Sequence, residues 1–260
     1  MTFLSTRYPA RLLTHQLTHR LIAGMCACLA ALFIAAAAGG PAAAQDFTRR
    51  GVEDLVSNAR RTLRDIEDTN RSFQRNLEDA VGIMIFPNII KAGFIIAIEG
   101  GAGVLLSRYE DLRNPPIDFP IGFSHEWSAP AFFNLAAGSV GFQIGASGSQ
   151  VIFLFMSERA FERALDGNFE VGAEINITIV GEDERTGTVF ENADVLSYAR
   201  AGGLFAGIAF EGANVDEAPE ANDRYYDIDF DAEEIVTDPF INNSHADRLR
   251  DLLSELGARR

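Results

Sequence analysis

The stretch Ala80 to Tyr109 reads AVGIMIFPNIIKAGFIIAIEGGAGVLLSRY. Gly82 to Phe86 is a short apolar run closed by Pro87. Gly93 to Glu99 and Val104 to Tyr109 are two further apolar runs on either side of Glu99-Gly-Gly-Ala-Gly103. Residues of this kind, flanking a glycine cluster, predict two strands joined by a turn at 99–103. The glycines could instead suggest a phosphate loop. Such a loop needs a helix N-terminus directly after it, whereas Val104 to Tyr109 is strand-like.

Moving outward, Phe132 to Ala146 and Val151 to Met156 predict more strands, punctuated by Gly138, Gly141, Gly145 and Gly148. From Val171 to Ile179 apolar and polar residues alternate, the pattern of a half-buried strand. Glu182 to Gly187 reads as a charged hairpin turn, and Ser197 to Glu211 as another pair of strands. Before the strands, Gly51 to Ala80 carries Val52, Leu55, Val56, Ala59, Leu63, Ile66, Phe73 and Leu77 at helical spacing, with a weak point at Asn70 to Ser72. Ser157 to Leu165 is a short helix with Ser157 as N-cap and Gly167 as stop. Ser244 to Leu256 is an amphipathic helix that Gly257 ends. Strands in succession with helices at the two ends predict an α+β fold. The glycines inside the strands predict a strongly curved antiparallel sheet or barrel, flanked by the N-terminal amphipathic helix and the C-terminal helix.

Residues 1–44 are expected to lie outside that fold. Arg7, Arg11 and Arg20 precede an apolar run from Leu21 to Ala38, which Gly39, Gly40 and Pro41 break before Ala42-Ala43-Ala44. This is the layout of a secretory signal cleaved after Ala44, with an uncleaved membrane anchor as the alternative. Cys26 and Cys28, the two cysteines, lie in that run, so the remaining single domain, 45–260, is expected to stand on its core alone. The formal charge is −15, and losing the leader's three arginines takes it to −18. Such a charge argues against nucleic acid as a partner.

Three constellations invite a chemical reading. Asp227, Asp229 and Asp231 have calcium-loop spacing, but Ala232 stands where the loop needs glycine, and alternating acids on an exposed strand face fit as well. His125 and His245 lack a G-x-S-x-G elbow or any other visible nucleophile. No catalytic residue, metal site or cofactor is therefore expected. Arg60, Arg64, Arg71 and Arg75 fall within about a 60° arc of one continuous helix, bordering its apolar stripe. That arrangement suits headgroup contact, although Glu53, Glu67 and Glu78 share the arc and suit a self-paired, solvated face.

Taken in order, several blocks resemble the SYLF family of lipid-binding, Ysc84-like actin-binding domains. They are Ala80 to Pro87 leading to Lys91-Ala-Gly-Phe94, Gly100 to Val104, Trp127-Ser-Ala-Pro-Ala-Phe132 and Gly141-Phe-Gln-Ile-Gly145, then Ser197-Tyr-Ala-Arg200, Gly203-Leu-Phe-Ala-Gly207 and Tyr225-Tyr226. The resemblance covers roughly Val52 to Phe230 and implies a non-enzymatic module that binds lipid or membrane. Under it, Arg60, Arg64, Arg71 and Lys91 would meet headgroups, and Tyr198, Arg200 and Phe205 would be scaffold residues with a ligand role only by hypothesis. Actin binding is not expected of an exported protein. The expectation is a periplasmic, phospholipid-binding envelope module. An envelope structural or protein-interaction domain is the alternative, and a hydrolase or metal enzyme comes last.

Overall fold

The computed structural model describes residues 47–258 except 69, 71, 94–95, 110–124, 141–144, 168, 172–175, 182–192, 203 and 206–211. The leader, the 182–187 turn and Arg71 thus lie outside the described residues. The chain is α+β, with helices at both ends of a curled sheet.

The sheet contains β1 (Gly82–Gly93), β2 (Ile96–Ser107), β3 (Ala131–Val140), β4 (Gly145–Phe155), β5 (Phe169–Glu170), β6 (Ile177–Ile179), β7 (Val195–Ala201), β8 (Leu204–Phe205) and β9 (Asn214–Glu217). Their order is β5-β9-β3-β2-β1-β4-β7-β6, with β8 beside β7. Every pair is antiparallel except β6 with β7, so the expected antiparallel sheet is mixed at that one edge.

The structure corrects the reading of 99–103. These residues do not turn. They run through the middle of β2, with Glu99 opposite Ala137 and Gly103 opposite Phe133. Pro87 likewise does not end β1. Between Phe86 and Ile89 the strand gains one residue relative to β4, and it gains one relative to β2 over the same region. This bulge lets a residue without an N–H sit inside a central strand. The glycines of β2 answer it. A Cβ on Gly101 would lie 2.4 Å from the Asn88 carbonyl oxygen, and one on Gly103 would lie 2.6 Å from that of Ile85. Close backbone approach, not a turn, is what these glycines serve.

Both faces of the sheet are covered. Ile83, Ile85, Val104, Leu106, Ile152, Leu154, Leu196 and Tyr198 point to one side, where α1 (Arg49–Glu67), α2 (Phe73–Asp79) and the last helix pack. Met84, Phe86, Leu105, Phe133, Val151, Phe153 and Phe155 point to the other, against α3 (Glu158–Leu165). Strands buried on both faces read as unbroken apolar runs rather than alternating ones.

The weak point in the first helical segment is a true break. Thr48 caps α1 through the Gly51 amide at 3.2 Å. After Glu67, the buried Asn70 accepts from the Ser72 amide at 2.9 Å, the Ser72 hydroxyl at 2.7 Å and the Phe73 amide at 3.2 Å. One asparagine side chain thus draws amides away from the helix and starts α2. The single arginine arc expected across 60–75 is split accordingly. Arg60 and Arg64 lie on α1, and Arg75 lies on α2.

Two helices were hidden in the acidic segment, α4 (Pro219–Tyr226) and α5 (Ala232–Thr237). They overturn the exposed-strand reading of Asp227, Asp229 and Asp231. Asp227 is the left-handed cap that ends α4, with φ 59°. Asp231 caps α5, accepting from the Glu234 amide at 2.7 Å while Glu234 accepts from the Asp231 amide at 3.1 Å. Replacing Asp231 with alanine is expected to cost about 1 kcal/mol, measured as a lower urea midpoint with unchanged slope. A 3-10 turn, Ser244–Ala246, leads into α6 (Asp247–Gly257). α5 packs on β2 and β3, and α6 packs on α1 and α2.

Candidate functional site

The predicted headgroup residues are distributed unevenly. Lys91 forms an ion pair across the strands with Glu99, which is buried, so its charge is neutralised inside the sheet. Arg200 reaches Asp65 of α1 at 3.6 Å, and Gln150 donates to the same carboxylate at 3.0 Å. Tyr198 is fully buried. Its ring meets Phe73 edge-to-face at 5.0 Å, and its hydroxyl accepts from the Asn76 amide at 2.7 Å. Phe205 lies in β8, where Arg200 is its partner across the strands. Arg64 is exposed on α1.

The apolar stripe of α1 faces inward. Val52, Val56, Ala59, Leu63 and Ile66 are all buried in the core, and Phe73 and Leu77 of α2 join them. A helix in this position cannot lay its apolar side into a bilayer without leaving the fold.

Arg60 stands apart from the other predicted residues. It borders a groove of about 260 Å³ lined by Val56, Ser57, Arg60, Ser244, His245, Arg248 and Leu249. On α1, positions 56, 57 and 60 share one face because they are three and four residues apart. The opposite wall comes from the 3-10 turn and the first turn of α6. Asn243 shapes that wall, its side chain accepting from the His245 amide at 3.0 Å and donating to the Tyr225 carbonyl at 2.9 Å.

Among the described residues no carboxylate lines the groove. Neither Arg60 nor Arg248 pairs with an acid among the described residues. The neighbouring acids are engaged elsewhere. Glu53 lies 3.7 Å from Arg49, and Asp247 lies 3.7 Å from the buried Arg250. His245 rests edge-to-face on Tyr225 at 6.0 Å, with its Nδ1 3.3 Å from the Tyr225 hydroxyl. Burial, reinforced by Glu53, pushes the Tyr225 phenol well above its ordinary range, so it stays a neutral hydroxyl. In a protein of charge −15, this is a local concentration of uncompensated positive charge suited to an anion.

The other polar groups have structural tasks. Arg250 is fully buried, donating from Nε to the Trp127 carbonyl at 2.9 Å and from a terminal nitrogen to Asn242 at 2.8 Å. His125 sits between Asp247 and Asp251, and burial together with Arg250 lowers its pKa. Glu217 accepts from Asn222 at 2.9 Å and from the Ala232 amide at 2.8 Å, and burial raises its pKa. Among the described residues, no three His, Cys, Asp or Glu side chains gather as metal ligands. The sequence reading named Arg60 and weighed His245 only as a catalytic candidate, and it did not name Arg248, Ser57 or Ser244 as site residues. The usable signal was the polar side of the last helix, where Ser244, His245 and Arg248 recur at helical spacing.

Residues 136–256 match the Ysc84 family model, described as Las17-binding protein actin regulator. The SH3 domain-containing YSC84-like protein 1 of Bos taurus is 27% identical over 77% of this chain and 59% of its own length. That of Homo sapiens is 27% identical over 77% of this chain and 58% of its own length. Protein YSC84 of Saccharomyces cerevisiae is 26% identical over 68% of this chain and 38% of its own length. The chain therefore spans less than two thirds of the length of these relatives, and the description of the family model speaks of binding and regulation rather than of a reaction. With the family match in its C-terminal half and YSC84-like proteins aligned along most of its length, the chain is similar to the Ysc84, or SYLF, family.

Proposed function

We propose that the chain is a non-enzymatic module of the cell envelope that binds phospholipid, exported with its leader removed after Ala44. The observation that carries this reading is the groove between α1 and α6, where Arg60 and Arg248 line a space of about 260 Å³ and neither pairs with an acid among the described residues. Because the apolar stripe of α1 is buried, contact would run through headgroups rather than through an inserted helix. That same burial favours the second reading, an envelope interaction domain with no lipid ligand. The family model's description, which speaks of binding a protein and regulating actin, belongs to the proteins it was named for.

Vesicle co-sedimentation separates the two. Anionic vesicles are expected to pellet the protein at low salt and to release it as salt rises. The double variant Arg60→Gln, Arg248→Gln is expected to lose about 1.5–3 kcal/mol of binding for each charged hydrogen bond removed. Equal pelleting of the variant and the parent would show that the groove is not the contact.

A further inference from the structure

Resting on the groove as the ligand site, we propose that it selects a phosphate monoester, free or carried on a headgroup, over a phosphodiester.

The lining chemistry argues for this. Arg60 and Arg248 supply two fixed positive charges and only donors, and Ser57 and Ser244 add hydroxyls. His245 has Nδ1 beside the Tyr225 hydroxyl, which leaves Nε2 as the ring nitrogen able to meet a ligand. With no carboxylate in the lining, nothing there accepts from a ligand as strongly as these groups donate to one. The matching ligand has several acceptor oxygens close together and a charge near −2. A phosphate monoester has both, with about −1.5 to −2 charge at neutral pH and three terminal oxygens. A phosphodiester has a single negative charge and one terminal oxygen fewer, so it leaves one guanidinium unmatched.

Size points the same way. A groove of about 260 Å³ is below the range of ordinary small-molecule pockets. It admits a phosphate with a short polyol and not an acyl chain. Val56 and Leu249 provide the apolar surface on which such a carbon stub would rest.

The test uses the full chain and four probes. Inorganic phosphate and glycerol 3-phosphate represent the free ligand. Vesicles containing phosphatidic acid present a monoester headgroup, and vesicles containing phosphatidylglycerol at the same mole fraction present a diester. Calorimetry reads the soluble arms and co-sedimentation the vesicle arms. Arg248→Gln removes one exposed guanidinium from the groove, and Arg75→Gln, on α2, removes the same charge elsewhere. Monoester probes are expected to bind roughly tenfold or more tightly than the diester, with Arg248→Gln erasing that margin and Arg75→Gln keeping it. Binding of soluble monoesters with no retention on either vesicle supports the selectivity, assigns it to a free ligand and ends the membrane reading. Equal retention on both vesicles overturns the selectivity and leaves the phospholipid reading standing. A monoester preference that survives Arg248→Gln also overturns the proposal. Failure of all four probes overturns both readings.

Discussion

Replacing Tyr198 with alanine is expected to destabilise the fold by about 3–5 kcal/mol, the range for deleting a large buried ring. In a domain of this size that lowers the melting temperature by roughly 6–20 °C. Tyr198 is fully buried on β7, and its ring fills the space between the sheet and Phe73 of α2. Its removal would leave a cavity, and Asn76 would lose the acceptor it holds at 2.7 Å. Tyr198→Phe keeps the ring and loses only that hydrogen bond, so a loss of about 0.5–1.5 kcal/mol is expected. Thermal melts by circular dichroism separate the two variants. A ligand role predicts the reverse pattern, in which the phenylalanine variant melts like the parent and binds poorly. Losing ligand affinity without losing stability would therefore count against a scaffold role for Tyr198.

The second large effect is expected at Trp127, again about 3–5 kcal/mol for replacement by alanine. The indole is fully buried, and the Arg108 guanidinium lies 4.7 Å from its ring centre. The Trp127 carbonyl accepts from Arg250 of α6, which is itself fully buried. Deleting the ring would uncover Arg108 from the surface that keeps water away, and a cation–π contact would go with it. Urea unfolding followed by far-ultraviolet circular dichroism is the suitable measurement, because Trp127 is the only tryptophan and its fluorescence disappears with it. An unchanged midpoint in Trp127→Ala would show that α6 and the Arg108 contact do not depend on the indole. Trp127→Phe, which keeps an aromatic face, is expected to lose less.

These residues show what the sequence makes legible and what it does not. The helical stripe of α1 could be read because its determinants, from Val52 to Ile66, are local and periodic. The break after it was visible for the same reason, since Asn70 and Ser72 bond within their own segment. The two hidden helices had local marks as well, Pro219 at the first turn of α4 and the Asp231–Glu234 capping pair of α5. The density of acids in that segment masked both. Gly101 and Gly103 could not be read correctly in isolation, because the backbone of another strand is what requires them. Arg250 reads as part of the polar side of α6, and only the Trp127 carbonyl and Asn242 reveal why it is inside. The groove obeys the same rule. Arg60 was legible on its helix, whereas its opposite wall is formed by residues about 190 positions further along the chain.

The bulge at Pro87 has a consequence for how this fold can change. Asn88 presses against both neighbouring strands, its carbonyl toward Gly101 of β2 and its side-chain oxygen toward Gly148 of β4, 3.2 Å from where a Cβ would stand. Two glycines 47 positions apart thus answer to one extra residue in the strand between them. The three sites behave as one steric unit, and substitutions among them will not add as independent changes do. A lineage that restored a regular β1 would release both glycines at once. One that keeps the proline ties the composition of two other strands to it, whatever the groove on the far side of α1 comes to hold.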